Sequence, residues 1–253
     1  MVMATELVSL TVDLHIHSAL SPCADNEMTP RAIAARARQM GTDMIAVCDH
    51  NASGNAAACH AAGQATGLAV IPGMEVQTRE EVHLLCLFPS LAALAAWQAV
   101  VDRALPPLDN QPQHFGRQLL FDDHDRPLGE ERRLLLTSTA LTVEDVFAGV
   151  TRLAGLCVPA HIDRPSYSLL GTLGLIPPGL AVPAVEISRR ADPAAVRERF
   201  PDTRGLPFLT ASDAHWLSQI APARTRLVAR APTFDELRQA LAGADNRRVV
   251  IDD

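Results

Sequence analysis

The chain has 253 residues and a mass of 27.2 kDa, a length that suits one large domain or two small ones. It carries 22 basic and 29 acidic side chains, and every basic one is arginine. The absence of lysine excludes a Schiff base, a P-loop lysine on nucleotide phosphates and a carboxylated lysine that bridges two metals. The net charge of −7 argues against bulk electrostatic binding of nucleic acid, so we do not expect a long nucleic acid as a partner.

The composition is that of a globular enzyme, with 48% hydrophobic and 20% charged residues. The cysteines are odd in number, and we expect buried, reduced thiols at Cys23, Cys48, Cys59, Cys86 and Cys157. No apolar stretch is long enough to span a membrane, and the residues from Met1 to Glu6 lack the basic region of a signal peptide. We therefore expect a cytoplasmic protein with no membrane partner.

Short apolar runs alternate with amphipathic, alanine-rich segments along the chain. Strands are predicted at residues 7–14, 44–48, 68–71, 82–88, 156–160, 182–187, 207–211 and 248–251. Helices are predicted at residues 30–41, 54–66, 90–105 and 233–241, and a further helix is predicted after residue 142. Thr142 and Asp145 have the spacing of a capping box at the start of that further helix. Glu236 is expected to complete a second capping box at the start of helix 233–241. This alternation predicts a mostly parallel α/β architecture, either a closed barrel or an open doubly wound sheet. No G-x-G-x-x-G follows a strand, which argues against dinucleotide binding.

The segment from residue 106 to residue 136 departs from this alternation. Two apolar runs, 115–121 and 131–136, flank the polar stretch 122–127, a pattern typical of a β-hairpin. We interpret the segment as an insertion on a single domain that spans residues 1–253.

Potential metal ligands follow successive strands, where α/β folds place their sites. The first strand runs into His15 and His17, whose side chains at positions i and i+2 of a strand point to the same face. The later strands bring further candidates, namely Asp49, His50, Glu75, His83, His161, Asp213 and His215. A lone H-x-H is weak evidence, but this series would converge in space. His60, His114 and His124 lie outside it, and we assign them no role.

Lined up in order, these motifs resemble those of the PHP superfamily, the polymerase and histidinol phosphatase metal-dependent phosphoesterases. The similarity covers Asp13-Leu14-His15-Ile16-His17, the loop residue Asp25, Asp49-His50, Pro72-Gly73-Met74-Glu75, His83, His161 and Ser212-Asp213-Ala214-His215. It implies a distorted (β/α)7 TIM-like barrel with a site for two or three divalent metals. It further implies that His15, His17, Glu75 and Asp213 hold one metal, that Glu75 bridges to a second held with His83 and His161, and that Asp25, His50 and His215 hold a third.

The chemistry of the ligands agrees with this implication. Mixed imidazole and carboxylate ligands suit zinc, manganese or iron, although the sequence does not identify the metal. Two such metals can share a hydroxide that attacks phosphorus in line. We therefore expect a phosphatase or phosphodiesterase that acts on a small metabolite, a nucleotide or a short oligonucleotide. Asp49 is expected to orient a ligand histidine by a hydrogen bond.

Without lysine, the protein's own positive charge toward a phosphate comes from arginine. Arg164 and Arg189 each follow a strand at the expected edge of the site, and a guanidinium binds phosphate bidentately. The alternative for each is a solvated side chain in a salt bridge. Tyr167 and Trp216 follow the same motifs, and we expect them to be packing aromatics, although either could stack on a base.

Two other classes of function remain open. An amidohydrolase-type barrel also begins with H-x-H, but its binuclear members commonly need a carboxylated lysine, so only a mononuclear hydrolase or deaminase would fit. A non-catalytic metal- or nucleotide-binding module is the second alternative. The sequence leaves open the substrate, the oligomeric state and the purpose of the inserted segment.

Overall fold

The computed structural model describes residues 6–252. The residues used to judge the absence of a signal peptide lie, except for Glu6, outside this range. Among the described residues, no helix is both long and apolar enough to cross a membrane.

The strands follow the predicted runs closely, with additions. They are β1 (Val8–Ile16), β2 (Met44–Val47), β3 (Ala69–Gln77), β4 (His83–Leu87), β5 (Leu119–Phe121), β6 (Pro127–Glu130), β7 (Leu156–Pro159), β8 (Val185–Ser188), β9 (Phe208–Ala211), β10 (Thr225–Ala229) and β11 (Arg248–Ile251). Strand β10 was not predicted, because its buried Thr225 breaks the apolar run.

The helices lie between these strands. They are α1 (Pro30–Gln39), α2 (Ala56–Thr66), α3 (Leu91–Ala104), α4 (Pro112–Phe115), α5 (Val143–Arg152), α6 (Leu169–Leu173), α7 (Pro193–Arg199) and α8 (Phe234–Leu241). The capping box at the start of α5 is confirmed, since the Thr142 hydroxyl accepts from Asp145 N and the Asp145 carboxylate accepts from Thr142 N. At α8 the Thr233 side chain caps the helix, but the predicted box is wrong because Glu236 binds two arginines instead.

Seven strands form one curled sheet in the order β11-β10-β1-β2-β3-β4-β7, and β8 pairs with β9. Strand β8 contacts β7, and β9 contacts β1 and β11, so the pair fills the gap between the ends of the sheet. A cluster of buried side chains, including Leu10, Val12 and Leu87, lies inside this enclosure. The predicted fold class, a distorted TIM-like α/β barrel, is confirmed.

The expectation of a mostly parallel sheet is wrong for part of the barrel. Strands β1, β2 and β3 are parallel, but β4 runs antiparallel to both β3 and β7, and β10 runs antiparallel to β1. Only five residues separate β3 from β4, too few for a crossover helix. As a result, the first residue of β4, His83, lies opposite the last residue of β3, Gln77.

The inserted segment contains the predicted hairpin with a shifted second strand. Strands β5 and β6 flank the turn 122–126, whereas residues 131–136 are outside the hairpin. Buried Leu119 and Phe121 pack against α1 and α2. Asn55 ties the segment to the first loop of the barrel, because its amide donates to Leu119 O and to Ser18 Oγ. That the segment is an insertion on a single domain stays a prediction.

Candidate metal centre

A β-bulge in β1 aims the H-x-H pair into the barrel. The pairing of β1 with β2 shifts register between Asp13 and Ile16, so β1 holds one extra residue there. Leu14 therefore packs in the core while His15, the next residue, also turns inward, and Ile16 packs against the helix layer. His15 Nε2 and His17 Nε2 lie 3.1 Å apart.

Glu75 lies at the centre of the imidazoles. Its oxygens lie 3.0 Å from His50 Nδ1 and 3.0 Å from His83 Nδ1. They lie 3.4 Å from His15 Nε2, from His17 Nε2 and from His161 Nε2. Five histidines from four parts of the chain thus face one buried carboxylate.

The ligand atoms fall into three overlapping groups in which all atoms lie within 4.8 Å of one another: His15, His17 and Asp213; His50, Glu75 and His83; and His17, His50 and His215. Asp213 Oδ1 lies 3.2 Å from His17 Nε2 and 3.4 Å from His15 Nε2. Each group combines side chains from different strands or from the loops after them, so the predicted candidates converge in space.

The buried atoms of this centre fit a bound cation. Both oxygens of Glu75 lack a hydrogen-bond partner, as do His50 Nδ1, His83 Nε2 and His161 Nδ1. Buried polar atoms are normally paired, and the imidazoles lie near Glu75 without the geometry of a hydrogen bond. Atoms spaced about 3 Å apart around common points are what metal ligands require. The donors are imidazole nitrogens and carboxylate oxygens, a set that suits divalent transition metals.

Two predicted site residues are not brought into this cluster. Asp25 belongs to none of the groups of close ligand atoms found in residues 6–252, and its Oδ1 accepts from Glu27 N at 2.8 Å. Asp49 is buried, and its carboxylate accepts from Ser18 N, Ser18 Oγ and Ser21 Oγ. By these bonds Asp49 contacts the loop after β1 and neither His50 nor the Glu75 cluster. Asp49 therefore supports that loop.

Two supporting residues were missed at the level of sequence. Glu186 is 2% exposed and lies 3.1 Å from His15 Nδ1, which leaves His15 Nε2 for a metal. Ser21 Oγ donates to Asp49 and lies 2.9 Å from His17 Nδ1, so it fixes the second ligand in the same way. A charged residue within the apolar run of β8 was the available signal for Glu186, whereas Ser21 offered none.

The clustered charges shift several pKa values. Burial would raise the pKa of Glu75, but His83, His15 and His50 hold it well below its usual range. Burial would lower the pKa of His50, yet the nearby Glu75 carboxylate raises it to about 10. For His17, burial together with His215 and His50 holds the pKa well below its usual range. The cluster therefore already favours an ionised Glu75 and a neutral His17, the states that bind metal, whereas His50 would lose a proton when a metal binds.

The predicted arginines occupy different places at the edge of the centre. Arg164 lines the pocket of the imidazoles, and its Nη1 lies 2.8 Å from Asp213 Oδ2. Arg189 lines an adjoining cavity of about 1010 Å³, which Arg164, Arg190 and Arg224 also line, and its Nη2 donates to Pro222 O.

The two aromatic residues at the rim are not buried, contrary to expectation. Tyr167 is 47% exposed and lies over His83 with ring centroids 4.9 Å apart. Trp216 is 48% exposed and lines a second cavity, of about 360 Å³, on the side of the inserted segment. Each ring thus leaves a surface open to solvent beside the centre.

Comparison with known proteins gives a similar sequence and two structures of similar fold. An uncharacterized protein of Bacillus subtilis, YqxK, is 32% identical over 106 residues, which are 40% of this chain and 27% of that protein. The lesion-specific endonuclease PfuEndoQ from Pyrococcus furiosus has a similar fold, with a TM-score of 0.70, 22% identity and coverage of 96% of this chain and 58% of that one. A structure of Endonuclease Q in complex with a 27-mer duplex that has an abasic lesion at the active site aligns with a TM-score of 0.67, 21% identity and coverage of 95% and 58%. The chain thus spans less than two thirds of these proteins.

One expectation is corrected by these relatives. The acidic net charge led us not to expect a long nucleic acid as a partner, and this inference is wrong, because a protein of this fold binds a 27-mer duplex at its active site. Net charge describes the whole surface, whereas the arginines near this centre are local.

The PHP domain family matches residues 13–169, and the PHP-associated family matches residues 197–244. The first match covers more than half of the chain and includes seven of the nine ligands that the resemblance implied, and the observed α/β barrel agrees with it. The chain therefore belongs to the PHP family of metal-dependent phosphoesterases.

Proposed function

We propose that this chain is a metal-dependent phosphodiesterase that cleaves a nucleic-acid strand. The observation that carries the proposal is the cavity of about 1010 Å³ that adjoins the metal centre and is lined by Arg164, Arg189 and Arg190. A phosphate monoester would need only the pocket of the imidazoles, of about 190 Å³. A neighbouring space with several guanidinium groups suits a substrate whose phosphates continue beyond the scissile bond.

Other features support the same substrate class. A second, smaller cavity is lined by Arg117 and by Trp216, the residue after His215, so a further part of a strand could lie there. The half-exposed rings of Tyr167 and Trp216 offer faces on which bases could stack. The similar fold of the endonucleases supports a nucleic acid, but their specificity for lesions is not carried over to this shorter chain.

The proposed ligands are His15, His17, His50, Glu75, His83, His161, Asp213 and His215. When bound, divalent metals lower the pKa of a water molecule and neutralise phosphate oxygens. Glu186 and Ser21 orient His15 and His17, so their Nε2 atoms stay directed at the centre. Arg164, which lines both the centre and the large cavity, is placed to bind a non-bridging oxygen of the scissile phosphate.

The test is a substrate panel with purified protein loaded separately with Zn²⁺, Mn²⁺ or, without oxygen, Fe²⁺. We expect cleavage of fluorescent single- and double-stranded oligonucleotides and of bis-p-nitrophenyl phosphate, with activity abolished in His17→Ala and Asp213→Ala. Release of inorganic phosphate from monoesters, with no cleavage of any oligonucleotide, would overturn the proposed substrate class. Ammonia release from amides or nucleobases would instead support the amidohydrolase alternative, and tight binding without turnover a non-catalytic module.

A further inference from the structure

The cavity of about 360 Å³ that Trp216 lines lies between two other segments of the chain. One wall is the loop after β1, at residues 22–26, and the other is the inserted segment at Pro112, Gly116 and Arg117. Trp216 directly follows His215, a proposed metal ligand, so the cavity begins one residue from the metal centre. Its volume is within the range of small-molecule sites.

Both walls of this cavity are fixed. Gly116 has φ +99°, and a Cβ there would overlap Pro22 O, so only glycine lets the inserted segment approach the loop this closely. The loop is held in turn against the metal centre, because Asp25 N donates to His215 O at 2.8 Å. The position of the cavity relative to the centre is therefore set by contacts of the backbone.

Trp216 gives the cavity a face for a planar ring. The chain has two tryptophans, of which Trp97 is fully buried and Trp216 is 48% exposed. The ring centroids of Trp216 and His215 lie 6.1 Å apart. Nucleic-acid bases stack on aromatic faces of this kind. Because the two rings are so close, a base on Trp216 would belong to a nucleotide next to the phosphate at the centre.

Polar groups complete the lining. Asn26 is exposed on the loop wall, and its carboxamide offers both a donor and an acceptor. On the opposite wall, Arg117 donates from Nε and Nη2 to Glu130 Oε1, at 3.1 and 2.6 Å, which fixes the guanidinium. Cys23, for which we expected burial, is partly exposed between them. An aromatic face beside groups that can bind a base edge is the combination by which proteins recognise unpaired nucleotides.

We propose that this cavity binds the nucleoside adjacent to the scissile phosphate, with its base stacked on Trp216. The inference rests on the proposed function and deepens it, because it assigns one nucleoside of the substrate to a defined place. It also gives the inserted segment at residues 106–136 a role, since this segment forms one wall. A base stacked there cannot pair with a complementary strand, so the cavity favours a substrate that is unpaired at this position.

The two tryptophans allow binding to be measured without turnover. In the Zn²⁺-loaded protein, thymidine 5′-monophosphate or thymidine 3′-monophosphate should quench the fluorescence of Trp216, whereas methyl phosphate, which has no base, should not. Trp216→Phe keeps a face for stacking but leaves only the buried Trp97 as a fluorophore, so the quenching should disappear. Leu175→Ala is the matched control, because Leu175 is 47% exposed and lines neither cavity at the centre, and this variant should be quenched like wild type.

Kinetics test whether the cavity contributes to catalysis. Wild type should cleave a p-nitrophenyl phosphate ester of thymidine with a kcat/KM roughly 10-fold or more above that for methyl p-nitrophenyl phosphate. Trp216→Ala should lose this preference, and Trp216→Phe should keep most of it. Gly116→Ala should also lose it, because the added Cβ separates the inserted segment from the loop, while its zinc content stays that of wild type. Circular dichroism checks that each variant is folded.

An absence of quenching by both nucleotides in wild type, or an unchanged preference in Trp216→Ala, would overturn the inference. Its failure is distinguishable from failure of the proposed function. Quenching that requires Trp216, in a protein that cleaves no phosphodiester, would remove only the proposed activity. Equal cleavage of the esters with and without a base would remove only the nucleoside site.

Discussion

Two buried glutamates show how differently this chain treats a negative charge. Glu236, on α8, is 8% exposed, and its carboxylate accepts from Arg230 N at 2.8 Å, Arg247 Nε at 2.7 Å and Arg247 Nη2 at 3.0 Å. Glu75 is 1% exposed and accepts no hydrogen bond, although five imidazole nitrogens lie within 3.4 Å. One carboxylate is neutralised by a guanidinium of its own chain, and the other is not.

The difference indicates the purpose of each residue. A buried charge without donors destabilises a fold, so it persists only where it has another use. Glu236 stabilises the end of the barrel, where α8 meets the last two strands. Glu75 is placed for a cation that the chain itself does not supply. Both carboxylates are buried, so burial does not distinguish the structural ion pair of Glu236 from the proposed metal ligand Glu75. The hydrogen bonds that each carboxylate accepts do distinguish them.

The largest effect is expected from Glu75→Gln, which tests this separation directly. Loss of this carboxylate should lower kcat/KM by roughly 10³ or more, beyond the effect of a single electrostatic contact. Because bound ligand stabilises the folded state, Zn²⁺ should raise the Tm of wild type but raise that of the variant much less. Activity assays and thermal unfolding with Zn²⁺ or EDTA measure both quantities. An equal Zn²⁺-induced rise in the variant would contradict the role of Glu75 as a ligand.

Glu186 is a third buried glutamate, and its partner is His15, a proposed metal ligand. Its effect on the metal is therefore expected to be indirect. Glu186→Gln should weaken Zn²⁺ affinity or kcat by about 10- to 100-fold, since His15 loses the carboxylate that orients its ring. Competition with a chromophoric chelator measures the affinity. Glu144→Gln, an exposed change on α5, is the matched control and should have no effect. Unchanged affinity in Glu186→Gln would assign Glu186 to packing alone.

Much of this site could be predicted from the sequence because its ligands lie in short, local patterns. His15 and His17 are two residues apart, and Asp213 and His215 follow the end of a strand in the same spacing. The contacts that support them are not local: Glu186 lies 171 residues from His15 in the sequence. The bulge in β1 and the antiparallel direction of β4 were equally invisible, because both depend on pairing between strands.

Asp25 shows the same limit at the third group. Resemblance pointed to this loop carboxylate as a ligand, but its Oδ1 accepts from Glu27 N, and it lies in none of the groups of close ligand atoms among residues 6–252. Loop conformation, which depends on distant contacts, decided which side chains reach the centre.

The arginines extend the comparison from carboxylates to their partners. Arg247 donates two hydrogen bonds to the Glu236 carboxylate. The Arg164 side chain is 42% exposed, and its Nη1 contacts one oxygen of Asp213. Arg164→Lys should lower kcat by roughly 10- to 100-fold, because an ammonium cannot replace a bidentate contact to phosphate. Arg189→Lys should raise KM for oligonucleotides but not for bis-p-nitrophenyl phosphate.

Steady-state kinetics on both substrates separate these effects. Arg126→Lys, on the exposed turn of the hairpin, is the control and should leave both parameters unchanged. Unchanged kinetics in Arg164→Lys and Arg189→Lys would contradict phosphate binding by these residues. They would then be surface side chains in salt bridges.

The smallest effect is expected at Glu236, and it concerns stability alone. Hydrogen bonds from Arg247 hold the pKa of Glu236 below its usual range, although burial opposes them. A carboxylate whose folded pKa is lowered stabilises the protein above its unfolded pKa of about 4.3, and this contribution is lost as pH falls through the folded value. Glu236→Gln should therefore lower the Tm near neutral pH, and the difference from wild type should shrink as the solution is acidified.

Thermal unfolding of the two metal-free proteins across this pH range isolates Glu236, because the other carboxylates contribute equally to both curves. Asp235→Asn is the control, since Asp235 is 79% exposed and its change should shift the Tm little at any pH. The activity of metal-loaded Glu236→Gln at neutral pH should equal that of wild type, in contrast to Glu75→Gln. A loss of metal binding in Glu236→Gln would break the distinction between the two glutamates, because the end of the barrel would then be coupled to the metal centre.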